Sequence, residues 1–65
     1  MVTINGEAQA RDGMMLLDLL KEADYDSRAV AVEYNGAILE KAAYETTVLQ
    51  DGDVVEIVCF MGGGA

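Results

Sequence analysis

The residues best placed for chemistry are Gly62, Gly63 and Gly64, followed by Ala65, directly after the run Val54-Val55-Glu56-Ile57-Val58-Cys59-Phe60-Met61. Three consecutive glycines have no side chains to pack, and ordering them costs more backbone entropy than ordering any other residue type. What such a segment offers is its backbone, and in particular a glycyl carboxylate carried on a thin arm. A narrow enzyme cleft can admit that arm where a Cβ would clash. The chain therefore divides into a folded domain at 1–61 and a flexible tail at 62–65.

Other chemistry is largely excluded by composition. The chain has no histidine, and Cys59 is its single cysteine. It has no internal disulfide framework, no Cys/His zinc site, and no Ser-His-Asp or Cys-His arrangement. No nucleophile–base pair or certified carboxylate pair remains for acid–base work, so the expectation is that the chain is not an enzyme and binds no metal.

The elements that must hold the tail are short. With 65 residues, the chain makes one small domain. Val2-Thr3-Ile4 alternates with period two, Asn5-Gly6 is a hairpin signal, and Glu7 to Ala10 forms a return strand. Arg11-Asp12-Gly13 reads as a loop, with Asp12 as candidate helix cap. Leu16, Leu19, Leu20 and Ala23 fall on one helical face, with Asp18, Lys21 and Glu22 largely opposite; Tyr25-Asp26-Ser27 ends the helix. Ala29 to Tyr34 is strand-like, Asn35-Gly36 is a second turn, and Ala37-Ile38-Leu39 is a short continuation. Glu40 to Tyr44 suits one helical turn carrying Tyr44 inward, Thr46 to Leu49 is again strand-like, and Gln50-Asp51-Gly52-Asp53 is a tight turn. The order is β-β-α-β-β-β, an α+β fold in which one helix packs on one face of a mixed sheet of four to five strands.

Charge is one-sided: 12 Asp and Glu against 4 Lys and Arg, for a net charge of −8. Nucleic-acid phosphates and anionic membranes are disfavoured partners, and no apolar run approaches the ~20 residues of a membrane span. No signal-peptide pattern opens the sequence, so a cytoplasmic protein is expected. The acidic field suits a partner with a basic docking surface, although the same surplus also serves solubility alone.

Alternation sets the faces of the last strand. If Glu56 faces water, Val54, Val58 and Phe60 share its side, while Val55, Ile57 and Cys59 turn to the helix and core. Cys59 is then expected to be a small buried hydrophobe. Val54, Val58 and Phe60 form an apolar patch beside the tail, a candidate partner surface that Ala29 and Ala31 would keep shallow.

The element order, the Gln50-Asp51-Gly52-Asp53 turn, the apolar last strand and the terminal glycines together resemble the ThiS family of ubiquitin-like β-grasp sulfur carriers of bacterial thiamine biosynthesis. The resemblance covers the whole chain and is closest from Val30 to Gly64. It implies a ThiF-type enzyme, related to ubiquitin activators, that uses ATP to adenylate the C-terminal glycine. Sulfur from a cysteine persulfide then leaves a thiocarboxylate, which a thiazole synthase consumes. No cofactor is bound by the carrier itself. On this resemblance Gly64 is the activated glycine, Gly63 its partner, and Val58 and Phe60 belong to the face that docks on the activating enzyme.

The sequence departs from that pattern at Ala65, because Gly64 falls where the family normally stops. Ala65 is a natural cap removed by a JAMM-type metal-dependent peptidase, or an addition foreign to the natural chain, or the tail is inert; the cap is favoured. Capped carriers of this sort are associated with sulfur delivery to cysteine or homocysteine and hence methionine, which stands as the alternative acceptor pathway. A ubiquitin-like modifier, a non-covalent binding module and the related but longer small subunit of molybdopterin synthase are the remaining alternatives.

Overall fold

The computed structural model describes residues 1–59. Its architecture follows from two Asn-Gly turns. Asn5 (φ 49°) and Gly6 (φ 83°) both take the positive φ that a two-residue type I′ turn demands, as do Asn35 (φ 51°) and Gly36 (φ 87°). The first folds β1 (Val2–Ile4) onto β2 (Glu7–Gln9), and the second folds β3 (Val30–Tyr34) onto β4 (Ala37–Leu39). Ala37–Leu39 is thus a strand in its own right rather than a continuation. The last strand, β5 (Val54–Cys59), slots between the hairpins, parallel to β1 and antiparallel to β3. The result is a mixed five-stranded sheet in the order β2-β1-β5-β3-β4, covered on one face by a single helix: the expected β-grasp arrangement.

That helix, α1 (Leu16–Glu22), inserts Leu16, Leu19 and Leu20 against Val2, Ile4, Val30, Val32, Val55 and Ile57. Seven of these nine side chains are at most 2% exposed, so the transfer of aliphatic surface from water is the main force holding the layers together. The helix is shorter than its apolar spacing suggests. Ala23 is the C-cap and is exposed. Asp24 adopts φ 64°, and the Asp24 and Tyr25 N–H groups donate to the Lys21 and Leu20 carbonyls at 3.1 and 2.8 Å, closing the helix in a Schellman motif. Glu22 escapes its like-charged neighbour Asp18 by pairing with Arg11.

Two expectations change here. Asp12 does not cap the helix: the N-cap residue is Met15, without a side-chain cap, and the Asp12 carboxylate lies 3.1 Å from the Met1 ammonium. Thr46 to Leu49 is not a sheet strand either; it makes only an isolated bridge, Val48 with Met15. These two findings have one cause. The Thr47 and Tyr44 carbonyls accept from the Leu16 and Leu17 N–H groups at 2.9 and 3.0 Å, so backbone from this segment caps the helix in place of Asp12. A 3₁₀ turn at Lys41–Ala43 delivers the segment, and it carries Tyr44 inward as expected, to 3% exposure.

Candidate docking face and carrier tail

β5 is the element that leads to the tail, and it is held from both sides by the same device. The Asn5 N–H donates to the Val55 carbonyl at 2.9 Å, while its Oδ1 accepts from the Ile57 N–H at 2.7 Å. On the opposite flank the Asn35 N–H donates to the Val54 carbonyl at 2.8 Å, and its Oδ1 accepts from the Val54 N–H, also at 2.8 Å. Asparagine suits both jobs. It tolerates the left-handed turn position, and its short amide reaches neighbouring backbone. Sequence reading found the turns but not the clamps. The available signal was the repetition of Asn, rather than Asp or Gly, at the first position of both.

A further lock sits where β5 begins. The Asp53 carboxylate accepts from the Tyr34 hydroxyl, from the Gln50 N–H at 2.8 Å and from Asn35 Nδ2 at 3.2 Å. Partial burial pushes the Asp53 carboxyl upward, but these three donors outweigh it and hold the group below its ordinary value. The Tyr34 hydroxyl is pushed up to about 12, first by its bond to Asp53 and then by burial. This arrangement gives the Asp-Gly-Asp turn a structural task in aiming the strand.

Strand register sorts the side chains into two faces. Val55 and Ile57 are buried beneath the helix, while Val54 and Val58 are 44% and 57% exposed on the other side, as expected. Ala31 lies opposite Val58 and is half-buried, so it shares the open face and keeps it shallow; Ala29 precedes β3. Two residues the sequence reading passed over belong to this face as well. Glu33 is in register with Glu56 on one side and with Ile38 on the other, and Ile38 is 70% exposed. The open face is therefore a field of Val54, Val58, Ala31 and Ile38 around two glutamates.

Cys59 requires correction. It pairs in register with Val30 and so has the core-facing parity assigned to it, yet it is exposed. Parity alone does not bury a residue: Val30, directly opposite on β3, is fully covered, while Cys59, the last residue of β5, is not.

Phe60, assigned to the docking patch, and Gly62, Gly63, Gly64 and Ala65, assigned to the tail, lie outside the described residues, as does the boundary at 61–62. An open cleft of about 350 Å³ lies between α1 and the β1–β2 hairpin, floored by Ile4, Leu19 and Ile57 and edged by Arg11 and Tyr25. Among the described residues no cluster of His, Cys, Asp or Glu could hold a metal ion, and no helix is long and apolar enough to cross a membrane.

Comparison with known proteins agrees with this geometry. The model of the ThiS family matches residues 2–64. A sulfur carrier protein ThiS from Thermus thermophilus is 38% identical over 64 residues, covering 98% of this chain and all of its own. A thiazole synthase from Paramagnetospirillum magneticum is 45% identical over 65 residues; the match takes in 98% of this chain but only 20% of that protein's length. The crystal structure of the thiamine biosynthesis protein ThiS from Geobacter metallireducens superposes with a TM-score of 0.75, at 36% identity and 97% coverage of both chains.

Proposed function

The chain belongs to the ThiS family, and from that premise we propose that it carries sulfur as a thiocarboxylate on Gly64 for thiazole formation in thiamine biosynthesis. The observation that carries this reading is the family match running through the glycines to Gly64. The domain acts as a reagent and not as a catalyst: β5 is clamped on both flanks, and the reacting group follows it in the sequence.

The chemistry is supplied by a partner. A free carboxylate is a poor electrophile. A ThiF-type enzyme joins one Gly64 oxygen to the α-phosphorus of ATP, and pyrophosphate leaves. A cysteine persulfide then attacks the acyl carbon and AMP leaves, forming an acyl–S–S linkage. A second thiol reduces that S–S bond and frees the thiocarboxylate. The ATP and reduced thiols that these steps consume support a cytoplasmic setting. Val54, Val58 and Phe60 are the surface offered to the activating enzyme.

Ala65 blocks the first step, because in its presence the Gly64 carbonyl is an amide. The family match ends at Gly64, which supports Gly64 as the last residue of the reacting form; the step that removes Ala65 is assigned to a peptidase of the JAMM type. Likeness to thiazole synthases supports a thiazole synthase as acceptor over an amino-acid sulfhydrylase. In such a synthase the matching stretch takes up a fifth of the length.

The test uses two chains, one ending at Gly64 and one at Ala65. Each is incubated with a ThiF-type enzyme, ATP and a persulfide donor, and intact mass is recorded. Only the Gly64-ending chain should gain the mass of an oxygen-for-sulfur exchange. An unchanged mass for that chain would overturn the proposal.

A further inference from the structure

Glu33 and Glu56 face each other directly across the antiparallel β3–β5 pair, at the middle of the open face. Like charges in that relation oppose sheet pairing, where a Glu–Lys pair in the same register would support it. Among the described residues neither carboxylate has an ion-pair partner. The ion pairs among the described residues join the Met1 ammonium to Asp12 and Asp51, Arg11 to Glu22, and Arg28 to Asp26. Around the two glutamates the surface is apolar: Val54 and Val58 along β5, Ala31 along β3, and Ile38 across on β4, with Ile38 at 70% and Val58 at 57% exposure. A charge scatter kept only for solubility has no need to set two acids in register inside an apolar field. A local rule broken without internal compensation is expected where a binding site has been built.

We propose that the open face docks an apolar patch of the activating enzyme centred on one arginine, whose guanidinium lies between Glu33 and Glu56. This rests on the reading that the face is the docking surface, and it names the chemistry that face selects. Arginine fits better than lysine: its planar fork has enough donors for two carboxylates, it is weakly hydrated, and its faces tolerate Val and Ile beside them. Docking would turn a repulsion of the free carrier into a three-member charge network shielded by Val54, Val58 and Ile38. The net charge of −8 adds long-range attraction, but the pair in register gives it an address.

The test compares the full chain with E33Q, E56Q, the double variant E33Q/E56Q, and V58D. Affinity for a ThiF-type adenylating enzyme is measured by calorimetry at low and high salt, and each thermal midpoint is recorded. The double variant should hold or raise its midpoint, lose about tenfold or more in affinity at low salt, and show a flatter salt dependence. Unchanged affinity in the double variant would overturn the proposal, and so would a loss of equal size at both salts, which would mark packing instead of charge. V58D separates the two readings. If it fails to bind while the double variant binds normally, the face docks without a central arginine. If V58D also binds normally, the docking reading falls with the proposal.

Discussion

Val55 and Val58 stand three residues apart on β5, and one is fully buried while the other is 57% exposed. The strand alternates apolar residues on both sides, so composition does not distinguish its faces; cover does. α1 seals Val55 and Ile57 and leaves Val54, Glu56 and Val58 open. Residues of the same type therefore stand in different settings: the covered ones hold the layers together, and the open ones form the surface proposed above for recognition. This division can be broken from either side. Leu20→Ala, beneath the helix at 0% exposure, should cost about 2–5 kcal/mol in urea or thermal unfolding, a large fraction of what so small a domain has. Val58→Ala should stay within about 0.5 kcal/mol of the parent in the same assay and lower affinity for the activating enzyme instead. If Val58→Ala unfolds the protein as severely as Leu20→Ala, the two faces are not divided in this way.

The next largest effect concerns what holds the strand between those faces. The two asparagine clamps are alike in chemistry and unlike in setting: the Asn5–Ile57 bond is partly buried, while the Asn35–Val54 bond is exposed to water. Replacement by glycine keeps the positive φ of each turn and deletes only the amide. Asn5→Gly leaves the Ile57 N–H without its acceptor and should cost about 1–3 kcal/mol, whereas Asn35→Gly lets water take over at Val54 and should cost about 0.5–1 kcal/mol. Hydrogen exchange reads the difference directly, with the Ile57 amide losing protection in Asn5→Gly. Equal losses in the two variants would show that water reaches both clamps alike.

What the sequence revealed, and what it hid, follows the range of the interaction. The Asn-Gly turns, the leucine spacing of α1 and the inward Tyr44 depend on neighbours within a turn or two, and they stand as read. Thr46 to Leu49 has the alternation of a strand, but its backbone is engaged by the start of α1, a partner some thirty residues away that no local pattern names. The same contact leaves Asp12 without the capping task. Cys59 shows the limit most clearly: parity gives the face a strand residue points to, not whether it is covered there. The clamps of Asn5 and Asn35 and the register of Glu33 with Glu56 exist only once the strands are paired. Phe60 and the glycines, which the sequence offers for docking and for chemistry, lie outside the described residues.

The smallest effect is a pH signature at the root of β5. Asp53 is held below its ordinary value of 3.8 by donors that outweigh the effect of burial, so its contribution to stability is present above that value and lost as pH falls through the lower, folded one. Tyr34 is the opposite case. Its folded value of about 12 exceeds the ordinary 10.0, so its contribution is complete below 10 and disappears as pH rises toward 12. Tyr34→Phe removes the hydroxyl that Asp53 accepts from. It should cost about 0.5–1 kcal/mol at neutral pH, because solvent screens a half-buried bond. Relative to the parent, its stability should change less between pH 10 and 12, where the parent loses the bond, and also less on acidification, since Asp53 has lost a donor. Parallel curves for parent and variant across both windows would mean that the Tyr34–Asp53 bond does not anchor the strand, leaving the asparagine clamps and the buried face of β5 to hold it by themselves.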